Sequence, residues 1–439
     1  MRSPTETYLD TATALKRIAW LSARDRHKRF DSLMHHFNER SLAACFHELD
    51  GTRAVGSDGI DKAQYGAELD ANLKDLVARM KRMAYQPAPV RQVLIPKEGK
   101  PGATRPLGIS NLEDKIVQKM MHHVLESIYE PLFLDCSYGF RPGRGCHDAI
   151  RALHQHLFRH DVQTVIDVDL ANFFGTISHS LLADLLRQKI GDERFIRYLI
   201  RLFKAGMLAD GELTVSEEGV PQGSSCSPVL ANVFAHEVID QWFDTVVKSH
   251  CVGRVELFRY ADDAVICCQY EHDAHRIVKA LKGRLAHYRL RLNEEKTRLV
   301  PFSKQAYRRG ANPGVFEFLG FTFYWGRSRQ GVVIPKVKTS GRRLRSKLKK
   351  VALWAEKVRH RYPLKLIWSR FCTKMEGHIR YYGVSFNFKA LRVFQYQATR
   401  RLFKHLNRRS QRQSFTWEQF RKFVNAYPLP KLRIYQALF

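Results

Sequence analysis

Two acidic segments carry the residue types that could do metal-dependent chemistry. In the segment 257–268, the adjacent carboxylates Asp262 and Asp263 separate two short apolar runs that each have the pattern of a β-strand. This pattern predicts a β-hairpin with the acids at its turn. An Asp-Asp pair in such a turn is often only solvated, so the segment taken alone leaves both interpretations open.

A second acidic segment, 164–174, favours a metal-dependent site over a merely solvated turn. It is rich in β-branched and apolar residues around Asp167 and Asp169. Two such strands side by side would place Asp169 opposite Asp262 and form an oxygen-rich site for hard divalent ions such as Mg²⁺. A pair of bridged metal ions suits nucleotidyl transfer, because one ion activates the attacking oxygen and the other stabilises the leaving one. A regular strand puts Asp167 and Asp169 on one face, so periodicity does not choose between them.

Three motifs, in this order along the chain, resemble those of a known family. They are Asp169 with Phe173-Phe174, the run 220–232 with its Pro221-Gln222-Gly223, and Tyr260-Ala261-Asp262-Asp263. Together they are similar to the motifs of reverse transcriptases, and in particular of group II intron-encoded reverse transcriptase/maturase proteins from bacteria. The resemblance covers nearly the whole chain and is most specific from about Gly56 to Phe323. It implies an RNA-directed DNA polymerase with an α+β right-hand fold of fingers, antiparallel-sheet palm and α-helical thumb.

The resemblance also implies a set of catalytic and metal-binding residues. Asp169, Asp262 and Asp263 would be catalytic and would hold two Mg²⁺ ions, with Mn²⁺ as a substitute, and the carbonyl of Leu170 would be an extra ligand. Asp263 would tune the site more than ligate directly. The choice of Asp169 over Asp167 rests on this resemblance.

A second implied set binds the incoming nucleotide, and its members are Lys97, Arg105, Phe174, Gln222 and Lys296. Lys97 and Arg105 lie on a Gly/Pro-rich turn between two strand patterns, where cations suit a triphosphate, although a basic surface turn fits too. Phe174 matches the bulky ring that excludes a ribose 2′-hydroxyl, whereas Phe173 fits a core position. Lys296 could protonate the departing pyrophosphate, and a surface cap is the alternative.

The charge of the chain predicts a polyanionic partner. Lys and Arg number 73 against 43 acids, which gives a net charge of +30. We expect RNA template, DNA or RNA primer, deoxynucleoside triphosphates and a cognate intron or other structured RNA as partners. The predicted nucleic-acid contacts are two loop arginines and a basic thumb run, namely Arg141, Arg144, Arg342, Arg343, Arg345 and Lys347.

The resemblance implies four regions. They are an N-terminal helical extension (1–55), fingers (56–162), a palm with some fingers elements (163–325) and a helical thumb or maturase-like region (326–439). We expect a form without a His-Asn-His endonuclease module. The eight cysteines show no paired Cys-x-x-Cys arrangement, which predicts reduced thiols. The polar N-terminus and the lack of a run of roughly 20 apolar residues predict a cytoplasmic protein with no membrane partner.

Two other functions remain compatible with these residues. One is an RNA-binding maturase whose polymerase activity is vestigial, although all three acids are present. The other is a domesticated group II-like reverse transcriptase that serves DNA repair or antiviral defence.

Overall fold

The computed structural model describes residues 4–96, 102, 104–209, 212–220, 223–409 and 416–438 of the chain. Within these ranges, helices and mainly antiparallel sheets occur in one chain, which confirms the predicted α+β class.

The helices are numbered in chain order. They are α1 (Pro4–Arg24), α2 (Glu39–Glu48), α3 (Lys62–Gly66), α4 (Leu69–Lys81), α5 (Leu112–Tyr129), α6 (Cys146–Arg159), α7 (Phe173–Thr176), α8 (His179–Arg187), α9 (Glu193–Lys204), α10 (Ser227–Ala235), α11 (Lys248–His250), α12 (Glu271–His287), α13 (Lys304–Arg308), α14 (Gly341–Val358), α15 (Leu364–Tyr382), α16 (Phe388–Leu406) and α17 (Trp417–Ala426). A short 3₁₀ helix, Met34–His36, precedes α2, and two π-helical segments, His236–Asp240 and Phe243–Val247, lie between α10 and α11.

The strands form three sheets. The strands are β1 (Val90–Pro96), β2 (Thr104–Ile109), β3 (Thr164–Asp169), β4 (Met207–Ala209), β5 (Glu212–Thr214), β6 (Val255–Tyr260), β7 (Asp263–Cys268), β8 (Arg298–Pro301), β9 (Phe316–Phe318), β10 (Phe321–Arg327) and β11 (Val333–Thr339). Their orders are β2-β1-β4-β5, β6-β7-β3-β8 and β11-β10-β9. The antiparallel β1–β2 pair runs from Arg91 opposite Ile109 to Pro96 opposite Thr104, which is the hairpin predicted around the cationic turn.

The chain divides into two compact units. The first contains Met1–Gly145, Val168–Ala264 and His275–Arg298, and the second contains Cys146–Asp167, Val265–Ala274 and Leu299–Phe439. The first unit includes the fully buried apolar face of α5, from Ile116 to Ile128. The second unit has its own core on α14 to α17, where Trp368, Phe371 and Phe420 pack together. The four regions implied by the resemblance stay a prediction.

Local sequence explains where several elements begin and end. Asp61 starts α3 with a capping box in which its side chain accepts the N–H of Gln64. The helical run that starts at Ser227 is interrupted by the two π-helical segments, which carry one extra residue per turn.

All eight cysteines are free thiols, and four of them are half-buried or buried in the first unit. Among the described residues, no helix is long and apolar enough to cross a membrane.

Candidate active site

The predicted acidic hairpin is present. Strands β6 and β7 are joined at Ala261 and Asp262, and Asp263 is the first residue of β7. Ala261 has φ +57°, a left-handed conformation that side-chain-bearing residues rarely adopt outside turns and functional sites. Asp262 is half-buried and Asp263 is exposed.

Asp169, the last residue of β3, is fixed by the segment 291–297. Its N–H donates to Thr297 Oγ1 (3.2 Å), and its carbonyl accepts the N–H of Asn293 (2.8 Å). The next residue, Leu170, forms an antiparallel bridge with Leu292. These bonds set the position of the Asp169 backbone without using its carboxylate.

The Asp169 carboxylate is engaged by a lysine from the same segment. Lys296 Nζ lies 3.0 Å from Oδ1 and 3.1 Å from Oδ2, so one ammonium group contacts both oxygens. Both side chains keep access to solvent, with 50% of Lys296 and 32% of Asp169 exposed. The sequence placed Lys296 near the nucleotide but gave no sign of this contact.

The charge of Asp169 affects the proton affinity of the Asp262 carboxyl. Burial raises the pKa of the Asp262 carboxyl above its ordinary value, and the negative charge of Asp169 raises the pKa further, while Arg259 opposes the shift. A cation bound between these two carboxylates would relieve this electrostatic cost. The two acids that the sequence predicted to converge are therefore near enough for the charge of Asp169 to act on Asp262.

The oxygen donors available here fit a hard divalent cation. The carboxylates of Asp169 and Asp262 and the backbone carbonyl of Leu170 are all oxygen ligands of the kind that Mg²⁺ prefers. Across the described residues, no group of three or more His, Cys, Asp or Glu side chains lies close enough to hold a metal ion.

A buried ion pair supports the acidic turn from behind. Arg259 and Asp240 are 1% and 0% exposed, and the guanidinium contacts both carboxylate oxygens, at 2.7 Å through Nε and 2.5 Å through Nη2. The remaining Arg259 donors reach Asn232 Oδ1 (3.2 Å), Ser137 Oγ (2.7 Å) and the carbonyl of Ala261 (3.0 Å). Every N–H of the guanidinium thus has a partner, and one of these partners is the turn that carries Asp262.

The loop around Gly139-Phe140-Arg141-Pro142 packs against the same turn. Ser137 pairs with Arg259 in a parallel bridge, and the N–H of Tyr138 donates to the Arg259 carbonyl (2.9 Å). The carbonyl of Gly139 accepts Asn232 Nδ2 (2.6 Å). A Cβ at Gly139 would lie 2.5 Å from the Ala261 nitrogen, so only glycine allows this approach.

Arg141 is directed into the protein. It is 7% exposed, pairs with Glu130 (Nη2 to Oε1, 2.8 Å) and donates to the carbonyls of Leu134 and Ser137 (2.7 and 2.9 Å). Its Nε also faces Glu130, so all three guanidinium nitrogens are occupied by internal partners. The expected phosphate contact is therefore replaced by a structural role that holds the loop.

The other predicted cations have different surroundings. Arg144 pairs with the exposed Asp135 (2.6 Å), and Arg342 approaches Glu317 (3.6 Å). Arg343, Arg345 and Lys347 occur on the first two turns of α14 with partly or fully exposed side chains.

Besides Lys296, two of the predicted nucleotide-binding residues can be placed. Arg105 is an exposed residue of β2 and lies opposite Ile95. Phe174 is half-buried on α7, while Phe173 is 2% exposed, as expected for a core position. Lys97 and Gln222 lie outside the described residues. Gly223, next to Gln222, packs so close to the Gly108 carbonyl of β2 that a Cβ would clash.

Sequence analysis missed several residues of this site. Asp240 and Phe140 carry no catalytic pattern, and Asn232 stood inside a quoted motif without an assigned role. Glycine at 139 beside an aromatic residue in a turn was the one local sign of close backbone approach.

A carboxylate pair at a β-hairpin turn, a hard-oxygen donor set and an adjacent lysine define a nucleotidyl-transferring polymerase of the right-hand α+β class. The chain belongs to the reverse transcriptase (RNA-dependent DNA polymerase) family, whose model matches residues 95–323. The predicted enzyme class, an RNA-directed DNA polymerase, and the predicted fold are confirmed. The family is generally Mg²⁺-dependent and acts on nucleic acids.

Three relatives illustrate the similarity. Protein YkfC of Escherichia coli (strain K12) is 34% identical over 312 residues, which cover 64% of this chain and 78% of YkfC. The group II intron-encoded protein LtrA of Lactococcus lactis subsp. cremoris is 32% identical over 193 residues, 44% of this chain and 32% of LtrA. An uncharacterized 91 kDa protein in a cob intron of Schizosaccharomyces pombe is 36% identical over 195 residues, 44% of this chain and 23% of that protein. The chain thus spans about a third or less of the last two proteins.

Proposed function

We propose that Asp169 and Asp262, with the Leu170 carbonyl, hold two Mg²⁺ ions that serve RNA-templated DNA synthesis. The observation that carries this proposal is the raised pKa of the Asp262 carboxyl, which burial raises most and the negative charge of Asp169 raises further. When bound, the ions would lower the barrier for attack of the primer 3′-hydroxyl on the α-phosphate of a deoxynucleoside triphosphate. Asp263, exposed at the start of β7, would tune the field of the site.

The chain's own residues would prepare this site. Arg259, paired with Asp240, donates to the Ala261 carbonyl, so the turn that presents Asp262 does not depend on the substrate for its shape. Segment 291–297 holds Asp169 in the same way. Preorganised carboxylates avoid reorganisation at the moment of reaction, which is a large part of electrostatic catalysis.

Lys296 would have two roles in sequence. In the absence of substrate it compensates the charge of Asp169 through two short contacts. With a nucleotide bound, its ammonium would be released from Asp169 to donate a proton to the departing pyrophosphate. Lys97 and Arg105 would hold the triphosphate, and Gln222 would contact the nucleotide. The ring of Phe174 would exclude a nucleotide that carries a ribose 2′-hydroxyl.

Primer extension tests the metal assignment. Asp262→Asn keeps the shape of the side chain but removes its charge, and we expect nucleotide addition on an RNA template with Mg²⁺ to fall at least about 10²-fold. Affinity for the primed template, measured by anisotropy, should stay within about twofold. Asp184→Asn is the matched control, because Asp184 is an exposed acid paired only with Arg187 at a helix surface in the described structure. Equal extension by wild type and Asp262→Asn would refute the assignment.

A second function is binding of a structured intron RNA to assist its splicing. It is favoured by one surface of the helices α14 to α17 of the second unit. A groove on α16 and α17 is lined by Arg400, Arg401, Lys404 and Arg408 together with the exposed rings of Tyr396 and Trp417. No acidic side chain lines it among the described residues. Cations beside exposed aromatic rings suit unpaired nucleotides, whose phosphates and bases they bind separately. The names of LtrA and the cob intron protein agree with an intron RNA as the ligand.

Salt dependence tests this groove. The triple variant Arg400→Ala, Lys404→Ala, Arg408→Ala should weaken binding of single-stranded RNA and reduce the slope of log affinity against log salt by about 2. The charge-matched control replaces Lys74, Lys81 and Arg82, which are exposed on and after α4. If both triple variants change the slope equally, only the net charge matters and the groove is not a site.

A further inference from the structure

One exposed aromatic residue beside the acidic turn has no role in the function proposed so far. Phe140 is 48% exposed although it is a large apolar side chain, and its backbone has φ +58°. A non-glycine residue with positive φ is uncommon and costs conformational energy, and such outliers concentrate at functional sites. Phe140 is therefore both an exposed apolar side chain and a residue in a strained backbone conformation.

The backbone on both sides of Phe140 is fixed. Gly139 is held by the Asn232 side chain and by its close approach to Ala261. Arg141 is held by Glu130 and by the carbonyls of Leu134 and Ser137. The ring of Phe140 is thus carried on a rigid support, although the ring itself is open to solvent.

The Phe140 ring meets two aromatic residues of the site. Its centroid lies 6.3 Å from that of Phe174 at an interplanar angle of 83°, an edge-to-face contact, and 6.5 Å from that of Tyr260. Phe174 also meets Phe173 edge to face at 5.6 Å. The half-buried Phe174 ring therefore lies between the buried Phe173 and the exposed Phe140.

The backbone of Phe174 is held separately from its ring. Its carbonyl accepts the N–H of Val220 (2.8 Å) at the start of the Pro-Gln-Gly loop. That bond fixes the main chain but does not restrict rotation of the side chain. The neighbouring rings can restrict that rotation. Among the described residues, the ring contacts of Phe174 are to Phe173 and Phe140.

We infer that Phe140 is a positioning residue for nucleotide selection: its ring holds the Phe174 ring in the orientation that rejects a ribose 2′-hydroxyl. The inference rests on the proposed role of Phe174 as the residue that tests the sugar. Phe140 acts through Phe174 and need not touch the substrate. Its loss lowers the ratio of kcat/KM for a deoxynucleoside triphosphate to that for the matching ribonucleoside triphosphate.

The expected size follows from the strength of an edge-to-face pair. Such pairs stabilise a given ring arrangement enough to change a population by about 2- to 10-fold. Phe140→Ala should therefore reduce sugar discrimination by this factor. Phe140→Tyr keeps the ring and should retain the wild-type ratio.

Phe140→Gly separates a positioning role from a structural one. Glycine adopts φ +58° without strain, so this variant should melt within about 2 °C of the wild type. It should nevertheless lose discrimination as Phe140→Ala does. Phe388→Ala is the matched control, because Phe388 is a 39% exposed phenylalanine at the start of α16.

A double-mutant cycle decides the inference. If Phe140 acts through Phe174, then adding Phe140→Ala to Phe174→Ala changes discrimination no further. Additive losses, or an unchanged ratio in Phe140→Ala and Phe140→Gly, would overturn it. An unchanged ratio in Phe174→Ala would overturn both this inference and the sugar-testing role, while leaving the metal assignment intact, because that assignment is tested by Asp262→Asn.

Discussion

The ammonium group of Lys296 contacts both carboxylate oxygens of Asp169, at 3.0 and 3.1 Å. The two residues are 127 positions apart in the chain, and the contact is made by a segment that also fixes the Asp169 backbone. A cation at this place compensates the acid in the absence of metal and competes with any metal that uses the same oxygens.

The first prediction concerns this competition. Lys296→Ala should tighten Mg²⁺ binding by up to about fivefold, since a half-exposed ion pair contributes no more than ~1 kcal/mol. It should also slow nucleotide addition at saturating Mg²⁺ by about 10²-fold or more if Lys296 is the general acid. Calorimetric Mg²⁺ titration and single-turnover kinetics measure the two effects separately. The control is Lys282→Ala, which removes an exposed lysine paired with Glu294. Unchanged Mg²⁺ affinity in Lys296→Ala would contradict the competition.

The second prediction concerns the pH dependence of stability at Asp262. Folding raises the pKa of this carboxyl above 3.8, so the protonated form stabilises the folded state at low pH, and this contribution is lost as pH rises through the folded pKa. At neutral pH the charged form is a net cost in the absence of metal. Asp262→Asn should therefore raise the melting temperature without Mg²⁺ by roughly 1 to 3 °C at pH 7.5, and the gain should vanish near pH 4.

Mg²⁺ supplies the control for that measurement. Adding Mg²⁺ should stabilise the wild type, because the ion binds the folded state, and should stabilise Asp262→Asn less. A gain in melting temperature that persists at pH 4 would assign the effect to packing and not to charge.

The third prediction concerns the buried pair behind the turn. Asp240→Ala leaves the Arg259 charge buried without its partner, and this should reduce the free energy of unfolding by about 3–5 kcal/mol. Arg259→Lys keeps the charge but cannot replace the five donors, so we expect a smaller loss of stability and a fall in kcat that exceeds the change in KM. Urea unfolding and steady-state kinetics provide the two measurements. If Arg259→Lys lowered kcat and raised KM by the same factor, this would argue against a role of Arg259 in shaping the turn.

The fourth prediction compares two glycines. Gly139→Ala places a methyl group 2.5 Å from the Ala261 nitrogen, so the acidic turn must shift, and nucleotide addition should fall by at least about 10²-fold. Gly283→Ala, on α12, meets nothing within 4 Å and should instead raise stability by about 0.5–1 kcal/mol without affecting addition. Normal activity in Gly139→Ala would show that the turn tolerates displacement.

The fifth prediction concerns how acid lowers the stability of the helices α14 to α17, through His378 on α15. Burial lowers the pKa of His378 to about 3, and neither ring nitrogen has a hydrogen-bond partner in the described structure. Because the unfolded pKa is 6.5, the neutral ring contributes stability above that value, and the contribution is lost as pH falls from 6.5 towards 3.

Replacing this ring should flatten the pH dependence. His378→Phe keeps the stacking on Phe394, whose ring centroid is 3.5 Å away, and removes the proton-binding group. Between pH 6.5 and 4 the free energy of unfolding should then fall less steeply, by about 1.4 kcal/mol per pH unit. His27→Phe, at an exposed position, should leave the slope unchanged.

The sequence by itself determined the local elements and the identity of the acids. Alternation of apolar residues around Asp262 and Asp263 predicted the hairpin, since strand periodicity and turn composition are local properties. The order of the motifs assigned Asp169 to the same site. The sequence also predicted a core position for Phe173, which is 2% exposed.

The tertiary structure decided which side chains complete the site. Arg259 meets Asp240, Ser137 and Asn232 only because distant segments converge, and no periodicity links those positions. It also directs Arg141 into the protein, where its guanidinium pairs with the half-buried Glu130. A sequence pattern states which groups a residue can bind, whereas the fold decides which of those groups comes within reach, because contacts between remote segments depend on how the whole chain packs.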